Sequence, residues 1–519
     1  MKNKMFYYPF FFLLMLLAGC DSNKEEKKAA DIYQPTWESL EKVNPVPEWF
    51  KDAKFGIYFH WGVYSVPAFA NEWYPKNMYG DNSRENKHHK EVYGDPVSEW
   101  PYHYFIQGAK DKRGNWAEFA PKLKSDGGEF DPAEWAQLFA DAGARFAGPV
   151  AEHHDGFSMW DSKVNPWNAK DKGPEMDLVK VLADAIREKN MKLILSMHHA
   201  YNITGFYEHV PKTDDPELQK LYGQLGKEKN EEVWLEKHKE IIDNYQPDII
   251  WQDFNLTEIT DSVLLQFVAY YYNSANKWNK EVVNTYKDAL NTDVAVLDYE
   301  RGGPFELKDY YWLTDDAISR SSWCYTEGIA YYSAKAVLHS LFDRISKNGN
   351  LLLNISPKAD GSIPQKQKDI LLAMGNWLKK NGEAVYSTRA WVKFGEGPTE
   401  MGSGHPHGEG ATFTTPVEGT SDDIRFTRSK DNKTLYAIVL GWPEDNTVTV
   451  ESLAQGNIDL ASLQSVSLLN HISQVNLEYN QEQDGLRVVL PAKQEDEMAY
   501  VIKFDFDGEI PGVHKTAEK

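Results

Sequence analysis

From Trp37 to about Tyr386, short apolar runs rich in β-branched and aromatic residues alternate with longer amphipathic stretches. That is the pattern of repeated β/α units around a parallel sheet. The runs predicted as strands are Phe55–Phe59, Phe146–Val150, Leu193–Leu195, Ile249–Trp251, Val282–Val283, Val294–Leu297 and Leu351–Leu353. Helical spacing covers 132–143, 177–189 and 365–380, with Asp131-Pro132 as a start signal and Gly382 as a stop. Seven or eight such units in about 350 residues, with no Gly-rich phosphate turn after the first strand, predict a (β/α)8-like TIM barrel rather than a doubly wound sheet. Two insertions break the alternation. Pro75–Trp116, polar, aromatic and rich in His and Asn, is expected as a long loop over the barrel mouth, and Lys212–Tyr245 as a charged helical stretch.

After Tyr386 the pattern changes. Six glycines fall between Gly395 and Gly410, and from Ile424 short strands follow one another: Leu435–Leu440, Thr447–Val450, Val466–Leu468, Leu486–Leu490 and Ala499–Phe504. This predicts a (β/α)8-like barrel over residues 37–390 and, over 391–519, a linker and a C-terminal antiparallel β-sandwich.

The first residues have a separate logic. Lys2 and Lys4 precede the apolar run Phe10–Leu17, too short to span a bilayer, and then Leu17-Ala18-Gly19-Cys20. This resembles a bacterial lipoprotein signal, so residues 1–20 are expected to end at a lipidated Cys20 and residues 21–36 to form a flexible tether. Lys24-Glu25-Glu26 resembles the acidic export tag of surface lipoproteins of the Bacteroidetes. The expected location is therefore the cell envelope, held at the outer membrane by the lipid alone, on its periplasmic or outer face. Cys324 is the one other cysteine, which excludes an intramolecular disulfide in the mature chain and a cysteine zinc cluster.

Charge and composition narrow the function. A net charge of −22 disfavours a nucleic-acid partner, while 41% hydrophobic and 26% charged residues exclude disorder or a polytopic membrane protein. The 17 Trp, 28 Tyr and 24 Phe supply flat apolar surface of the kind on which sugar rings stack. In a barrel the reacting groups stand at the C-terminal strand ends. There the chain has His60-Trp61-Gly62, Glu152-His153-His154-Asp155-Gly156, His198-His199, Trp251-Gln252-Asp253 and Asp298-Tyr299-Glu300-Arg301-Gly302-Gly303. A carboxylate beside a tryptophan, as at Trp251-Gln252-Asp253, suits a glycosidic nucleophile, although an Asp capping the next helix fits the spacing equally. Adjacent histidines on a strand point to opposite faces, so at least one of His153 and His154 reads as a partner of sugar hydroxyls, and the two do not read as a metal pair.

Six ordered blocks then carry a resemblance to glycoside hydrolase family 29, the α-L-fucosidases. They are 49–67 with Phe55-Gly56-Ile57-Tyr58-Phe59-His60-Trp61-Gly62, Asn71-Glu72-Trp73-Tyr74, 153–162 with His153-His154-Asp155-Gly156-Phe157, Pro247-Asp248-Ile249-Ile250-Trp251-Gln252-Asp253, 348–364 with Asn348-Gly349-Asn350, and Asn381-Gly382-Glu383-Ala384-Val385-Tyr386. The resemblance implies a retaining exo-α-L-fucosidase that cleaves terminal fucose from glycans or polysaccharides through a covalent fucosyl-enzyme. Asp253 would be the nucleophile and Glu300 the acid/base. His60, Glu72, Trp73, His153, His154, Trp251 and Trp323 would contact the sugar. No cofactor and no metal are implied.

The chain departs from the family pattern around the pocket. Trp312-Leu313-Thr314-Asp315-Asp316 stands where Trp-Glu-Thr is usual, Phe254 follows Asp253 where glycine is usual, and Tyr286-Lys287 stands where an arginine is expected. Two other readings stay open on these residues. One is an α-L-galactosidase or sulfated-fucoside hydrolase, with Lys287 and Arg301 accommodating the added group. The other is a carbohydrate-binding lipoprotein that has lost turnover.

Overall fold

The computed structural model describes residue 1 and residues 32–401, 416–470, 476–493 and 497–513. The expected signal, Cys20 and most of the tether lie outside the described residues. Eight parallel strands close a barrel: β1 (Phe55–Phe59), β2 (Phe146–Glu152), β3 (Lys192–Met197), β4 (Ile249–Gln252), β5 (Val283–Tyr286), β6 (Val296–Asp298), β7 (Trp312–Ala317) and β8 (Gly349–Ile355). β1 pairs with both β2 and β8, which shuts the ring. Two glycines allow the inner layer to close. A Cβ at Gly56 would lie 2.1 Å from the Phe146 ring, and one at Gly148 would lie 1.7 Å from the Ile194 carbonyl oxygen.

Six helices surround the ring: α1 (Pro132–Asp141), α2 (Leu178–Glu188), α3 (Lys227–Tyr245), α4 (Asp261–Lys277), α5 (Ala334–Ser346) and α6 (Gln365–Asn381). The Asp131 side chain accepts from the backbone N–H groups of Ala133 and Glu134, with Pro132 at the first helical position. The expected alternation fails at two places. β5 runs to β6, and β6 to β7, through loops without a helix. β7 itself escapes the hydrophobic pattern, because Asp315 and Asp316 interrupt an otherwise apolar strand. The insertion expected as a long loop instead folds into short helices at Tyr74–Asn77, Arg84–Val92 and Tyr104–Gln107, fixed by buried contacts of Tyr74, His89, Trp100 and Phe105.

The C-terminal part holds β9 (Arg389–Glu396), β10 (Ile424–Arg428), β11 (Thr434–Val439), β12 (Thr447–Val450), β13 (Leu463–Leu468), β14 (Glu478–Gln481), β15 (Leu486–Val489) and β16 (Tyr500–Phe506). They form antiparallel sheets of order β9-β10-β11-β16-β13 and β12-β15-β14. Strand alternation splits β11 between two cores. Leu435, Ala437 and Val439 fill the sandwich interior with Val448, Val450, Leu486 and Val488, while Tyr436 and Ile438 join the core that includes the barrel. Helix α5 is consequently buried along its length. Arg425 of β10 donates to Asp343 of that helix at 2.9 Å. Among the described residues no helix is long and apolar enough to cross a membrane.

Candidate active site

A cavity of about 570 Å³ opens at the C-terminal ends of the barrel strands. All nine residues expected at a catalytic or sugar-binding position line it: His60, Glu72, Trp73, His153, His154, Trp251, Asp253, Glu300 and Trp323. His198, Phe254, Lys287, Arg301, Asp315 and Arg320 also line it and were not among those candidates.

Each strand end delivers its residue for a local reason. His60 follows β1, and its Nδ1 lies 2.7 Å from Asn354 Oδ1 of β8, whose Nδ2 donates to the Trp323 carbonyl at 2.7 Å. One asparagine thus fixes both the imidazole and the indole wall. β2 ends at Glu152, so His153 and His154 lie beyond the pleat, and both reach the cavity. This corrects the expectation of opposite faces, which holds only within a regular strand. His153 Nδ1 is buried and has no hydrogen-bond partner among the described residues. The half-buried Trp73 lies near-parallel to Phe254 with ring centres 6.3 Å apart, and Arg301 sits 4.4 Å over the Trp323 ring. These indoles form two walls. Trp251 is 1% exposed and lies under Lys287 Nζ, 4.9 Å from its ring centre, so it forms the floor. Glu72 is buried and accepts the Trp323 backbone N–H at 2.9 Å, with burial pushing its carboxyl above the usual range.

Asp253 sits where two different environments meet. Its Oδ2 lies 2.9 Å from His198 Nδ1 and 3.1 Å from His154 Nε2. Its Oδ1 lies 3.1 Å from Lys287 Nζ. Burial alone would raise its pKa, but the Lys287 ammonium and the two imidazoles outweigh it and hold the carboxyl well below the usual range. Burial pushes His198 down to about 4, so it is a neutral ring at neutral pH. Lys287 Nζ also lies 2.8 Å from Glu300 Oε2, 3.7 Å from Asp315 Oδ1 and 4.0 Å from Asp298 Oδ2. Against burial, these carboxylates keep the ammonium protonated. With one nitrogen at 3.1 and 2.8 Å from them, Asp253 Oδ1 and Glu300 Oε2 are at most 5.9 Å apart.

Asp298 does not line the cavity. It is fully buried behind Lys287, and burial, followed by the neighbouring Asp315, raises its carboxyl well above the usual range. Asp315 is raised as well and accepts a hydrogen bond from Tyr58 Oη at 2.9 Å. Lys287 lines the cavity and at the same time faces acids of its own chain. Lys287 and His198 were legible only in part: both end strands, but a lone lysine or a second histidine pair carries no spacing signal.

The Alpha-L-fucosidase family model matches residues 20–383, and the Alpha-L-fucosidase C-terminal domain model matches residues 418–505. The tissue alpha-L-fucosidase of Rattus norvegicus is 30% identical over 430 residues, covering 81% of this chain and 81% of that protein. The human plasma alpha-L-fucosidase is 29% identical over 479 residues, covering 89% of each. Among solved structures, the Thermotoga maritima alpha-fucosidase in complex with fucose superposes with a TM-score of 0.70 at 28% identity, covering 91% of this chain and 99% of that one.

Proposed function

The chain belongs to the alpha-L-fucosidase family, and from that premise we propose that this glycoside hydrolase releases terminal α-L-fucose with retention of configuration. The observation that carries the reading is the pair Asp253 and Glu300, which line one cavity and whose Lys287-facing oxygens are at most 5.9 Å apart. Retaining glycosidases need two carboxyls about 5–5.5 Å apart, since the nucleophile attacks the sugar directly and no water stands between.

Asp253, held ionised by Lys287, His198 and His154, attacks the anomeric carbon as Glu300 gives its proton to the departing glycosidic oxygen. A covalent fucosyl-aspartate forms and the aglycone leaves. Glu300, now ionised, takes a proton from water, and that water attacks the same carbon to free Asp253. His60, His153 and Glu72 stand where ring hydroxyls would bind, and Trp73 and Trp323 flank the sugar's apolar faces.

The test is proton NMR of the sugar first released from an aryl α-L-fucoside. The α-anomer is expected before mutarotation, and first release of the β-anomer would overturn the retaining mechanism. Asp253→Asn is expected to lower turnover by at least about 10⁴-fold, with azide restoring part of it as an inverted glycosyl azide.

Attachment to the bacterial envelope through Cys20 is part of the same reading, supported by Leu17-Ala18-Gly19-Cys20 after a short apolar run. Cys20→Ser should abolish acyl labelling and shift the protein out of the membrane fraction. Unchanged fractionation and labelling would refute the anchor.

A further inference from the structure

The contact between His154 and Asp253 has an unusual hydrogen inventory. His154 Nδ1 lies 2.6 Å from the backbone carbonyl oxygen of His198, an atom that only accepts, so Nδ1 carries its hydrogen. Nε2 is left facing Asp253 Oδ2 at 3.1 Å. A ring lone pair directed at a carboxylate oxygen is repulsive unless a cation lies between the two, either a proton or a metal ion. His198 Nδ1 approaches the same oxygen to 2.9 Å. The other nitrogen of His198 meets Ser196 Oγ at 2.8 Å, and a hydroxyl can donate or accept, so either tautomer of His198 is satisfied.

Three buried ligand atoms therefore converge: Asp253 Oδ2, His154 Nε2 and His198 Nδ1, all within 4.8 Å of one another. The two contacts to Oδ2, near 3 Å, approach the ligand spacing around a tetrahedral ion whose bonds are about 2.0–2.1 Å. The outer partners that such sites need are also present. A carbonyl holds the far nitrogen of His154 and a hydroxyl that of His198. His153 stands beside the group, its ring centre 4.6 Å from that of His154 and 4.8 Å from that of His198, with Nδ1 buried and without a partner among the described residues.

We propose that this pocket is a binding site for Zn²⁺ or a divalent ion of similar softness, held by Asp253, His154 and His198, and that the ion inhibits the enzyme by occupying the nucleophile. Zn²⁺ takes the place of the hydrogen in the His154–Asp253 contact, which leaves to solvent. The His198 hydrogen moves from Nδ1 to Nε2, toward Ser196. The open fourth position faces the sugar cavity, so metal and substrate compete. The metal is an inhibitor and not a cofactor. The block, unlike the binding, rests on Asp253 being the nucleophile.

The test uses the full chain with Co²⁺ as a spectroscopic probe and Zn²⁺ as competitor. One equivalent of Co²⁺ should give the intense visible absorption of a four-coordinate site, displaced by Zn²⁺. His154→Ala and His198→Ala, checked for folding by circular dichroism, should each weaken binding by at least about 100-fold, more than loss of an outer partner costs. Zn²⁺ should inhibit aryl-fucoside turnover competitively, and a chelator should reverse it. Absence of the visible band, or a band that survives in both variants, would overturn the site. Binding without inhibition would overturn the block. Turnover by the chelator-treated enzyme reports the fucosidase reading separately.

Discussion

Two sides of one pocket meet at Asp253, and they are built by different means. On one side stand His60, His153, His154 and His198, delivered by β1 to β3, each strand followed by chain that returns through a helix. Their rings crowd together, and burial, reinforced by neighbouring histidines, depresses His60 and His153 well below the usual histidine range. On the other side stand Lys287, Glu300 and Asp315, with Asp298 buried behind them, delivered by β5 to β7, whose connections are loops. There one ammonium holds four carboxyls in a buried volume. The histidine side offers ring nitrogens for hydrogen bonding, and the acidic side gathers carboxyls around one ammonium. The difference teaches that regular β/α units deliver the histidines and Asp253, while the helix-free connections after β5 and β6 deliver the carboxyls that surround Lys287.

The largest effect within this comparison is expected at Glu300. Glu300→Gln should slow fucosides with poor leaving groups by about 10²–10⁴-fold, the usual worth of a general acid, while activated aryl fucosides slow far less. Equal slowing of both classes would remove Glu300 from that role, and the acidic side would keep only an electrostatic function.

Lys287 is the next point at which the comparison can be broken. Lys287→Met leaves the carboxyl cluster without its cation, which should destabilise the fold by about 3–5 kcal/mol in denaturant melts and lower kcat by about 10²–10³-fold. The sign of the pH effect follows from Asp253. Its pKa is held down in the folded enzyme and the ionised form is active, so losing the ammonium raises that pKa. The acidic limb of the activity profile should move to higher pH. Lys287→Arg, which restores a cation, should recover most of both losses, and an unmoved acidic limb in Lys287→Met would refute the electrostatic role. On the histidine side, His198→Ala removes a hydrogen bond to a charged acceptor, worth about 1.5–3 kcal/mol, and should lower kcat by about 10–100-fold. A loss as large as that of Lys287→Met would erase the distinction between the two sides.

The two sides were also unequally legible in the sequence. His60, His153 and His154 sit in continuous blocks directly after apolar runs, and the strand pattern alone places them at one mouth. Asp253 and Trp251 were found for the same reason. On the acidic side Asp298 and Glu300 were read at a strand end as well, whereas β7 was missed because Asp315 and Asp316 lie inside it and defeat a hydrophobic count. Lys287 reads in sequence as a residue open to an added group on the sugar, and only the fold shows it enclosed among carboxyls, its side chain 2% exposed. In the C-terminal part, β14 was missed because three of the four residues in Glu478–Gln481 are exposed and none of the four is fully buried.

The smallest effect is expected at Asp298, and it tests whether the acidic side stores a proton. Asp298 accepts the Asp315 backbone N–H at 3.0 Å and lies fully buried against the Asp315 carboxyl. Its folded pKa is raised well above the unfolded value, chiefly by burial. Between those two values the folded chain binds a proton that the unfolded chain has lost, so this group's contribution to stability falls as pH rises through that window. Asn reproduces the protonated form, since its oxygen still accepts from Asp315 and its amide still donates. Asp298→Asn should therefore keep activity within about threefold of the parent, a difference of well under one pKa unit's worth of free energy. Its stability relative to the parent should grow from pH 4 to pH 7, by about 1.4 kcal/mol for each pH unit crossed in that window. Denaturant melts at the two pH values measure this directly. A variant that loses stability as pH rises, or that loses turnover on poor leaving groups alone, would show that Asp298 is ionised in the folded enzyme and takes part in the proton transfer assigned to Glu300.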